Sequence, residues 1–195
     1  MCYIHVTLAT TDDQVIDGAR RALEQHGWRG VTLERIATEA GVSRMTLHRR
    51  GVSRDGILAE LGRRLEEEYR AALWPALTAP GSARDRLELA LDALCDICDD
   101  NIELIAALGD GPRDAIFHEP GDDVLTKAVF TEPVERILRD GAADGTLRAD
   151  DPRESATVLY NLVSHTYRHL RRDHGWSPQR ARAGLLAIAL DGVSA

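Results

Sequence analysis

The sequence predicts an all-α protein of about nine helices, and three observations support this fold class. Apolar residues recur at helical spacing along successive segments of the chain. Leucine and alanine dominate the apolar residues, and the β-branched and aromatic runs typical of strands are scarce after residue 10. Serine, threonine or aspartate precedes several periodic segments, where the start of a helix needs a cap. A chain of 195 residues can bury most of its apolar surface in one core or in two joined helical units.

The first helix is predicted from Asp12 to His26, opened by a capping box that Thr11 and Gln14 form. The ten residues before it, MCYIHVTLAT, are too short and too weakly apolar for a signal peptide or a membrane span. No later stretch qualifies either, which predicts a cytoplasmic protein with no membrane partner. These ten residues are either a flexible N-terminal arm or the product of a misplaced start codon.

Residues 32–54, TLERIATEAGVSRMTLHRRGVSR, predict a helix-turn-helix. Thr32 is placed to cap a short second helix. Gly41 supplies the positive φ angle at which that helix stops and the chain turns. Ser43 can cap a third helix, whose Leu47 points back into the core. The side chains of this helix that should face outward are Arg44, Met45, Thr46, His48 and Arg49.

The packing of the helix-turn-helix depends on small residues. Ala37 is expected where the two short helices cross near a right angle, because that crossing leaves room only for a methyl group. After the third helix, Gly51 can stop the helix with Val52 folding back on Leu47, as in a Schellman motif. The alternative to a DNA-reading motif is an ordinary pair of helices with a solvated basic face.

The positive charge of the chain is concentrated near this motif. Residues 1–64 contain ten arginines and eight acidic residues, a net charge of +2, and the remaining residues carry −10, which gives the total of −8. A locally basic surface on an acidic protein is what contact with the DNA backbone requires. Within eleven residues, and with no carboxylate among them, lie Arg44, Arg49, Arg50 and Arg54.

The later helices are predicted from caps and helix breakers. A fourth helix should begin after Ser53 and end near Trp74, which makes it the mechanical link between the two halves of the chain. Residues 109–121, rich in glycine and proline, predict a connection. The other expected helices run from Ser82 past Cys98, from Asn101 to Leu108, from Asp122 to Gly141 with a kink at Pro133, from Asp151 to about Arg172, and from Ser177 to about Asp191.

From Thr11 to Leu58 the chain resembles the DNA-binding domain of the TetR family of transcriptional regulators. The motifs that carry the resemblance are Gly27-Trp28, Thr32, Ile36-Ala37, Ala40 to Ser43, Thr46-Leu47, Arg54 and, downstream, the run from Asp144 to Pro152. Two positions depart from the family pattern, because His48 and Gly51 stand in the segment where the family usually has tyrosine and phenylalanine. This departure bears on how the recognition helix packs.

The resemblance implies a ligand-responsive homodimeric regulator, most simply a repressor that binds a palindromic double-stranded DNA operator and is released by a small-molecule effector. It implies an N-terminal arm and helix-turn-helix domain over residues 1–52, and a helical ligand-sensing and dimerisation domain over residues 53–195. No cofactor is expected. The DNA-binding residues would be Thr32, Ser43, Arg44, Met45, Thr46, His48, Arg49, Arg50 and Arg54. The alternative functions are an interaction protein of the same fold that has lost DNA binding, and a thiol or metal sensor.

The last two helices carry more apolar residues than a terminal hairpin of a small domain needs, and small residues that allow close approach. The resemblance implies that two such hairpins form a four-helix dimer interface, and the alternative is that both helices pack into the core of one chain. Two-fold symmetry would double the base pairs that one short recognition helix can read. The expected interface residues are Ala156, Leu159, Val163, Leu170, Ala183, Leu186, Ile188 and Leu190.

In proteins of this family, the helices after the fourth surround a ligand cavity. An apolar lining with a few polar groups is typical of a small-molecule site. The residues expected to line it are Trp74, Leu94, Cys98, Leu104, Leu108, Phe117, Phe130, Ile137, Asn161, His165 and Arg168. The alternative is that these residues simply form the core, with His165 and Arg168 solvated.

The sequence gives only weak indications of redox, metal-binding or catalytic chemistry. Cys95 and Cys98 match C-x-x-C but lie within a predicted helix, which favours packing over redox or metal sensing. His165 and His169 share a helix face, and His118 or His174 could complete a metal site. No carboxylate lies between them as in a zincin motif, which favours pocket polarity or a solvated face over a metal site. No nucleophile elbow, P-loop or dinucleotide-binding fingerprint occurs, so an enzyme is not expected.

Overall fold

The computed structural model describes residues 3–109 and 126–194, with side chains from residue 13 onward. The described residues form nine α-helices and no strand, which confirms the predicted fold class. The helices are α1 (Tyr3–Gly30), α2 (Leu33–Glu39), α3 (Arg44–Arg49), α4 (Arg54–Thr78), α5 (Ala83–Asp100), α6 (Ile102–Gly109), α7 (Ala128–Asp144), α8 (Pro152–Arg172) and α9 (Pro178–Val193). None of these helices is long and apolar enough to cross a membrane.

Helix α1 begins earlier than the sequence predicts. It starts at Tyr3, so Thr11 lies inside the helix and does not open it. No glycine or proline interrupts residues 3–17, and the helix therefore continues through the expected cap. The Gln14 side chain instead donates a hydrogen bond of 2.7 Å to the Ala40 carbonyl at the end of α2. Near its other end, α1 bends at Gly27, which has a φ of 60°.

Contacts divide the chain into two compact units, and the first comprises Met1–Leu65 and Glu103–Gly111. Here α1 packs on α2, and α2 packs on α3. The closest approach is at Gly18, where an added Cβ would lie 2.6 Å from the Ala40 backbone nitrogen. Ala37 is buried as expected, but the position that admits no methyl group at all is Gly18.

The second unit comprises Glu66–Ile102 and Pro112–Ala195. Helix α5 packs against α7, α8 and α9, and α8 also packs against α7 and α9. One face of α5 is apolar and fully buried; it consists of Leu87, Leu91, Leu94 and Cys98. Three aromatic rings contact one another edge-on or stacked within this core: Tyr69, Phe130 and Tyr160. The Tyr69 hydroxyl donates a 2.5 Å hydrogen bond to the Phe130 carbonyl, which satisfies both buried groups.

Helix α4 contributes residues to both units. In the first unit, Arg64 forms ion pairs with Asp13 and Asp17 of α1. In the second, Lys127 lies 3.1 Å from Glu66, one turn from the buried Tyr69. The predicted domain boundary between residues 52 and 53, just before α4, stays a prediction.

Helix α4 also runs past its predicted end at Trp74-Pro75 and stops at Thr78. A proline removes only one backbone donor, and the burial of the following Ala76 holds the last turn in helical geometry. Pro133 likewise lies inside α7 without ending it. The start of the predicted helix at Asp122 and the connection over residues 109–121 lie largely outside the described residues.

The predicted helix caps of the second unit are confirmed. Ser82 and Asp85 form a complete capping box at the start of α5. The carboxylate of Asp151 accepts two backbone hydrogen bonds at the start of α8, and the Ser177 hydroxyl accepts one at the start of α9. These caps satisfy backbone N–H groups that have no partner within the helix.

Candidate nucleic-acid interface

The helix-turn-helix is built by local hydrogen bonds that the sequence predicts. The Thr32 hydroxyl accepts a hydrogen bond from the Arg35 backbone at 3.2 Å, and the Ser43 hydroxyl accepts one from the Thr46 backbone at 3.0 Å. Between them, Gly41 takes a φ of 64°, the left-handed conformation in which glycine is favoured. The short α3 is therefore fixed at its first turn by its own cap.

The recognition helix α3 ends as a Schellman motif. The Val52 backbone N–H donates to the Leu47 carbonyl at 3.1 Å, and Gly51 has a φ of 67°. Leu47 is fully buried, so this closure ties the exposed helix to the core of the first unit. Although this segment departs from the family pattern, α3 is a complete helix with a regular end.

We expect Gly51→Ala to destabilise the first unit by about 1 kcal/mol, because alanine pays a steric cost at positive φ. No atom lies within 4 Å of the added Cβ, so the cost comes from the backbone conformation alone. Thermal unfolding of the variant and of the parent chain measures it. An unchanged melting temperature would show that α3 ends differently.

Most outward-facing side chains at α3 are exposed and could enter a groove of DNA. Met45 is 70% exposed, and the side chains of His48, Arg49 and Arg50 are exposed as well. Thr46 is half-buried, and its hydroxyl lies 2.9 Å from that of Ser43.

Arg44 already has a partner in the first unit. Its Nη1 donates a 2.8 Å hydrogen bond to Oε1 of Glu34, and both side chains are mostly exposed. An exposed ion pair contributes little to stability, so a guanine edge can replace the carboxylate. Sequence reasoning missed Glu34, because its reach across to α3 depends on the angle between the two helices.

Arg54 differs from the other basic residues. Its guanidinium lies 4.5 Å from the centre of the Trp28 ring, and its Nη2 donates to the Trp28 carbonyl at 2.7 Å. A cation held over an indole ring and bonded to the backbone stabilises the junction between α1 and α4. By contrast, no ion pair engages the side chains of Arg49 and Arg50 within the described part of the chain.

Comparison with known proteins supports a DNA-binding domain. Residues 15–61 match the family model described as bacterial regulatory proteins of the TetR family. These residues span the capped helix-turn-helix and the start of α4. These residues therefore form a domain of the TetR family. No curated protein sequence is significantly similar to it.

Solved structures of TetR-family proteins share the whole fold. A regulator from Rhodococcus sp. is 22% identical, with a TM-score of 0.71 over 96% of this chain and 100% of that one. A TetR/AcrR-family regulator from Thermobifida fusca is 19% identical, with a TM-score of 0.71 over 92% and 96%. FadR from Bacillus subtilis, solved with stearoyl-CoA, is 15% identical, with a TM-score of 0.71 over 92% and 97%. At these identities the likeness shows the fold alone.

The residues predicted to line a ligand cavity fall into separate groups in the structure. Four are buried in the second unit: Leu94, Cys98, Phe130 and Ile137. Two more, Leu104 and Leu108, are also buried, but they belong to the first unit. Trp74 is 61% exposed and His165 is exposed, so neither lines an enclosed cavity. Phe117 lies outside the described residues.

The polar groups predicted for the cavity are only partly brought together. Asn161 is half-buried, and its amide donates to the Thr126 hydroxyl at 3.0 Å and to the Thr157 carbonyl at 2.8 Å. Arg168 is half-buried, and its Nη2 lies 3.4 Å from Nδ1 of the exposed His165. A cleft of about 530 Å³ lies elsewhere, between α5 and α9, and is lined by three aspartates of α5 and by Pro178, Gln179 and Arg182 of α9.

The predicted dimer residues differ in how far the single chain buries them. Five of them form part of the core of the second unit: Ala156, Leu159, Val163, Leu186 and Leu190. Leu170 is half-buried, whereas Ala183 and Ile188 are exposed. The apolar stripe of α8 packs on α5, α7 and α9 of the same chain, so it is not free for a partner. The exposed apolar residues of α8 are Val158 and Leu162.

The two cysteines of the C-x-x-C motif are buried and unpaired. Burial raises the pKa of the Cys95 thiol to about 12 and also raises the pKa of the Cys98 thiol. A thiol with a raised pKa holds little thiolate at neutral pH, and the thiolate is the species that binds metals and reacts with oxidants. This geometry favours packing over a sensing role. Cys2 lies outside the described residues.

Proposed function

We propose that this chain is a homodimeric transcriptional repressor that binds a palindromic DNA operator and is released by a small-molecule effector. The observation that carries the proposal is the capped and closed α3, which presents basic and polar side chains outward while Leu47 anchors it. A helix of this kind in the major groove is the reading element of helix-turn-helix proteins.

The exposed side chains suggest different roles in DNA binding. Arg49 and Arg50 are suited to neutralise phosphates, because they lie at the end of α3 and hold no ion pair in the described structure. Arg44 and Thr46 stand in the first turn of α3, where the N-terminal residues of a recognition helix contact base edges. Arg54 supports this surface through Trp28 and has at most a secondary role at the DNA backbone.

Exposed apolar residues of the last two helices support a dimer. Val158 is 59% exposed on α8, and Ile188 is 71% exposed on α9 beside the small residues Ala183, Gly184 and Ala187. Such side chains lose contact with water when a second copy of the same face covers them. We therefore assign the dimer surface to these residues and not to the buried stripe of α8.

The proposed effector is a mostly apolar small molecule. The second unit contains the aromatic cluster of Tyr69, Phe130 and Tyr160, with the half-buried Asn161 and Arg168 as polar groups on α8. A few polar groups beside an apolar lining can orient one polar end of a ligand. FadR of B. subtilis, a structural neighbour, is seen with stearoyl-CoA, which has this mixed character.

The DNA arm of the proposal is tested with the duplex upstream of the protein's own gene. Fluorescence anisotropy should show binding of a dimer to this duplex at physiological salt, with weaker and more salt-sensitive binding to random duplex. Binding to neither duplex would favour the interaction protein that has lost DNA binding. Analytical ultracentrifugation of Ile188→Asp, with Val158→Ala as a milder variant, checks the dimer surface.

The proposed effector and the operator DNA should weaken each other's binding. A ligand can lower DNA affinity only if it binds better to the form that does not fit the operator. Linkage then requires that operator DNA weaken the binding of that ligand by the same factor. Calorimetric titration of a candidate effector into the protein, with and without operator, measures both affinities. Equal affinities would exclude that compound as the inducer.

A further inference from the structure

Two histidine rings converge at the C-terminal end of α8. His169 lies in the last turn of the helix, and His174 lies in the turn that follows. Their Nε2 atoms are 3.1 Å apart, and the rings stand edge to face with centroids 4.7 Å apart. The backbone closes this turn, because the His174 N–H donates to the His169 carbonyl at 3.3 Å and Gly175 adopts a φ of 64°.

A carboxylate orients one of the two rings. Nδ1 of His169 lies 2.6 Å from Oδ2 of Asp173. The carboxylate can only accept, so the neutral ring carries its proton on Nδ1 and leaves the lone pair of Nε2 directed at His174. A carboxylate behind a histidine nitrogen is the second-shell arrangement that fixes the tautomer and raises the basicity of metal-binding histidines.

We propose that His169 and His174 bind a divalent first-row transition-metal ion through their Nε2 atoms. Two nitrogens that are 3.1 Å apart, each about 2.0–2.1 Å from one ion, subtend an angle of about 95–100° at the metal. This angle lies between square-planar and tetrahedral coordination. The ion displaces the Nε2 proton of His174: in the neutral ring that proton passes through solvent to Nδ1, and each Nε2 then gives its lone pair to the metal.

The site suits ions that accept solvent ligands. Within the described residues no group of three or more His, Cys, Asp or Glu side chains is placed to hold a metal ion, so the protein supplies two ligands and water supplies the rest. Both His169 and Asp173 are more than half exposed, which makes room for that water. Imidazole nitrogens favour copper, nickel and zinc, and affinity should follow the order Cu²⁺ above Ni²⁺ and Zn²⁺. The ion would join the end of α8 to the turn before α9.

The test is calorimetric titration of Cu²⁺, Ni²⁺ and Zn²⁺ in turn into the untagged full-length chain. We expect one ion per chain at this site, with at least a tenfold loss of affinity in His169→Ala and in His174→Ala. Asp173→Asn should weaken binding by about tenfold, since it removes only the orienting carboxylate. The electron paramagnetic resonance spectrum of the Cu²⁺ complex should show coupling to imidazole nitrogens that the double variant lacks.

His165→Ala is the matched control, because His165 is an exposed histidine on the same helix, one turn before His169. If it keeps full affinity, the proposed pair stands. If it loses binding while His174→Ala keeps it, the ligands are the i, i+4 pair His165 and His169, and the proposal is wrong. Absence of binding in the parent chain would also overturn it. The substituted side chains are exposed, and circular dichroism of each variant confirms the fold before titration.

Discussion

Gly18→Ala should destabilise the first unit by about 3 kcal/mol or more and abolish DNA binding near physiological temperature. The added methyl group would lie 2.6 Å from the Ala40 backbone nitrogen, 2.7 Å from its Cβ and 2.8 Å from its Cα. Two backbone segments must move apart to admit it, which costs more than the roughly 1 kcal/mol that alanine gains in a helix. Denaturant unfolding followed by circular dichroism measures the change.

Gly192→Ala is the control for this substitution. It also replaces a helical glycine, but nothing lies within 4 Å of the added Cβ. It should leave stability unchanged or raise it by a few tenths of a kcal/mol to about 1 kcal/mol. If Gly18→Ala behaved like this control, α1 and the end of α2 would not approach as closely as the structure shows.

The second large effect concerns the two arginines at the end of α3. The double variant Arg49→Ala, Arg50→Ala should lose affinity for operator and random duplex alike, on the order of 100-fold at about 0.1 M salt. Each removed arginine should lower the slope of log affinity against log salt concentration by about one unit per helix-turn-helix, because each phosphate contact releases counterions. Anisotropy titrations at several salt concentrations give both quantities.

Arg153→Ala serves as the matched variant, since Arg153 is an exposed arginine at the start of α8. It changes the net charge by one unit without touching α3, and it should leave the salt dependence as it is. Arg44→Ala should instead lose affinity mainly for the operator, if it reads a base edge. A double variant with undiminished salt dependence would mean that the end of α3 does not reach phosphates.

The sequence predicts well those features that depend on neighbours along the chain. The Ser43 cap, the turn at Gly41 and the closure at Gly51 each involve residues within five positions, and the structure has all three. The start of α1 was mispredicted for a related reason. A cap signal at Thr11 competes with an uninterrupted run of helix-compatible residues, and a local pattern does not say which prevails.

Features that depend on distance between helices could not be predicted in the same way. Helical periodicity shows that a face of α8 is apolar, but not whether its own chain or a second copy covers it. Leu159 and Val163, for example, are predicted as dimer contacts and are buried within their own chain. Gly18 gave no signal, because its role comes from how near α2 passes. The pairing of Arg54 with Trp28 has the same origin.

The unbroken helix α4 limits how this protein can be recombined with its relatives. Arg64 binds α1 on one side of residue 65, and Tyr69 enters the aromatic core on the other. A helix turns by about 100° per residue, so inserting or deleting a single residue between them changes the direction in which one side chain leaves α4 relative to the other. A chimera that joins this helix-turn-helix to the second unit of another protein should therefore keep the number of residues between these two positions of α4.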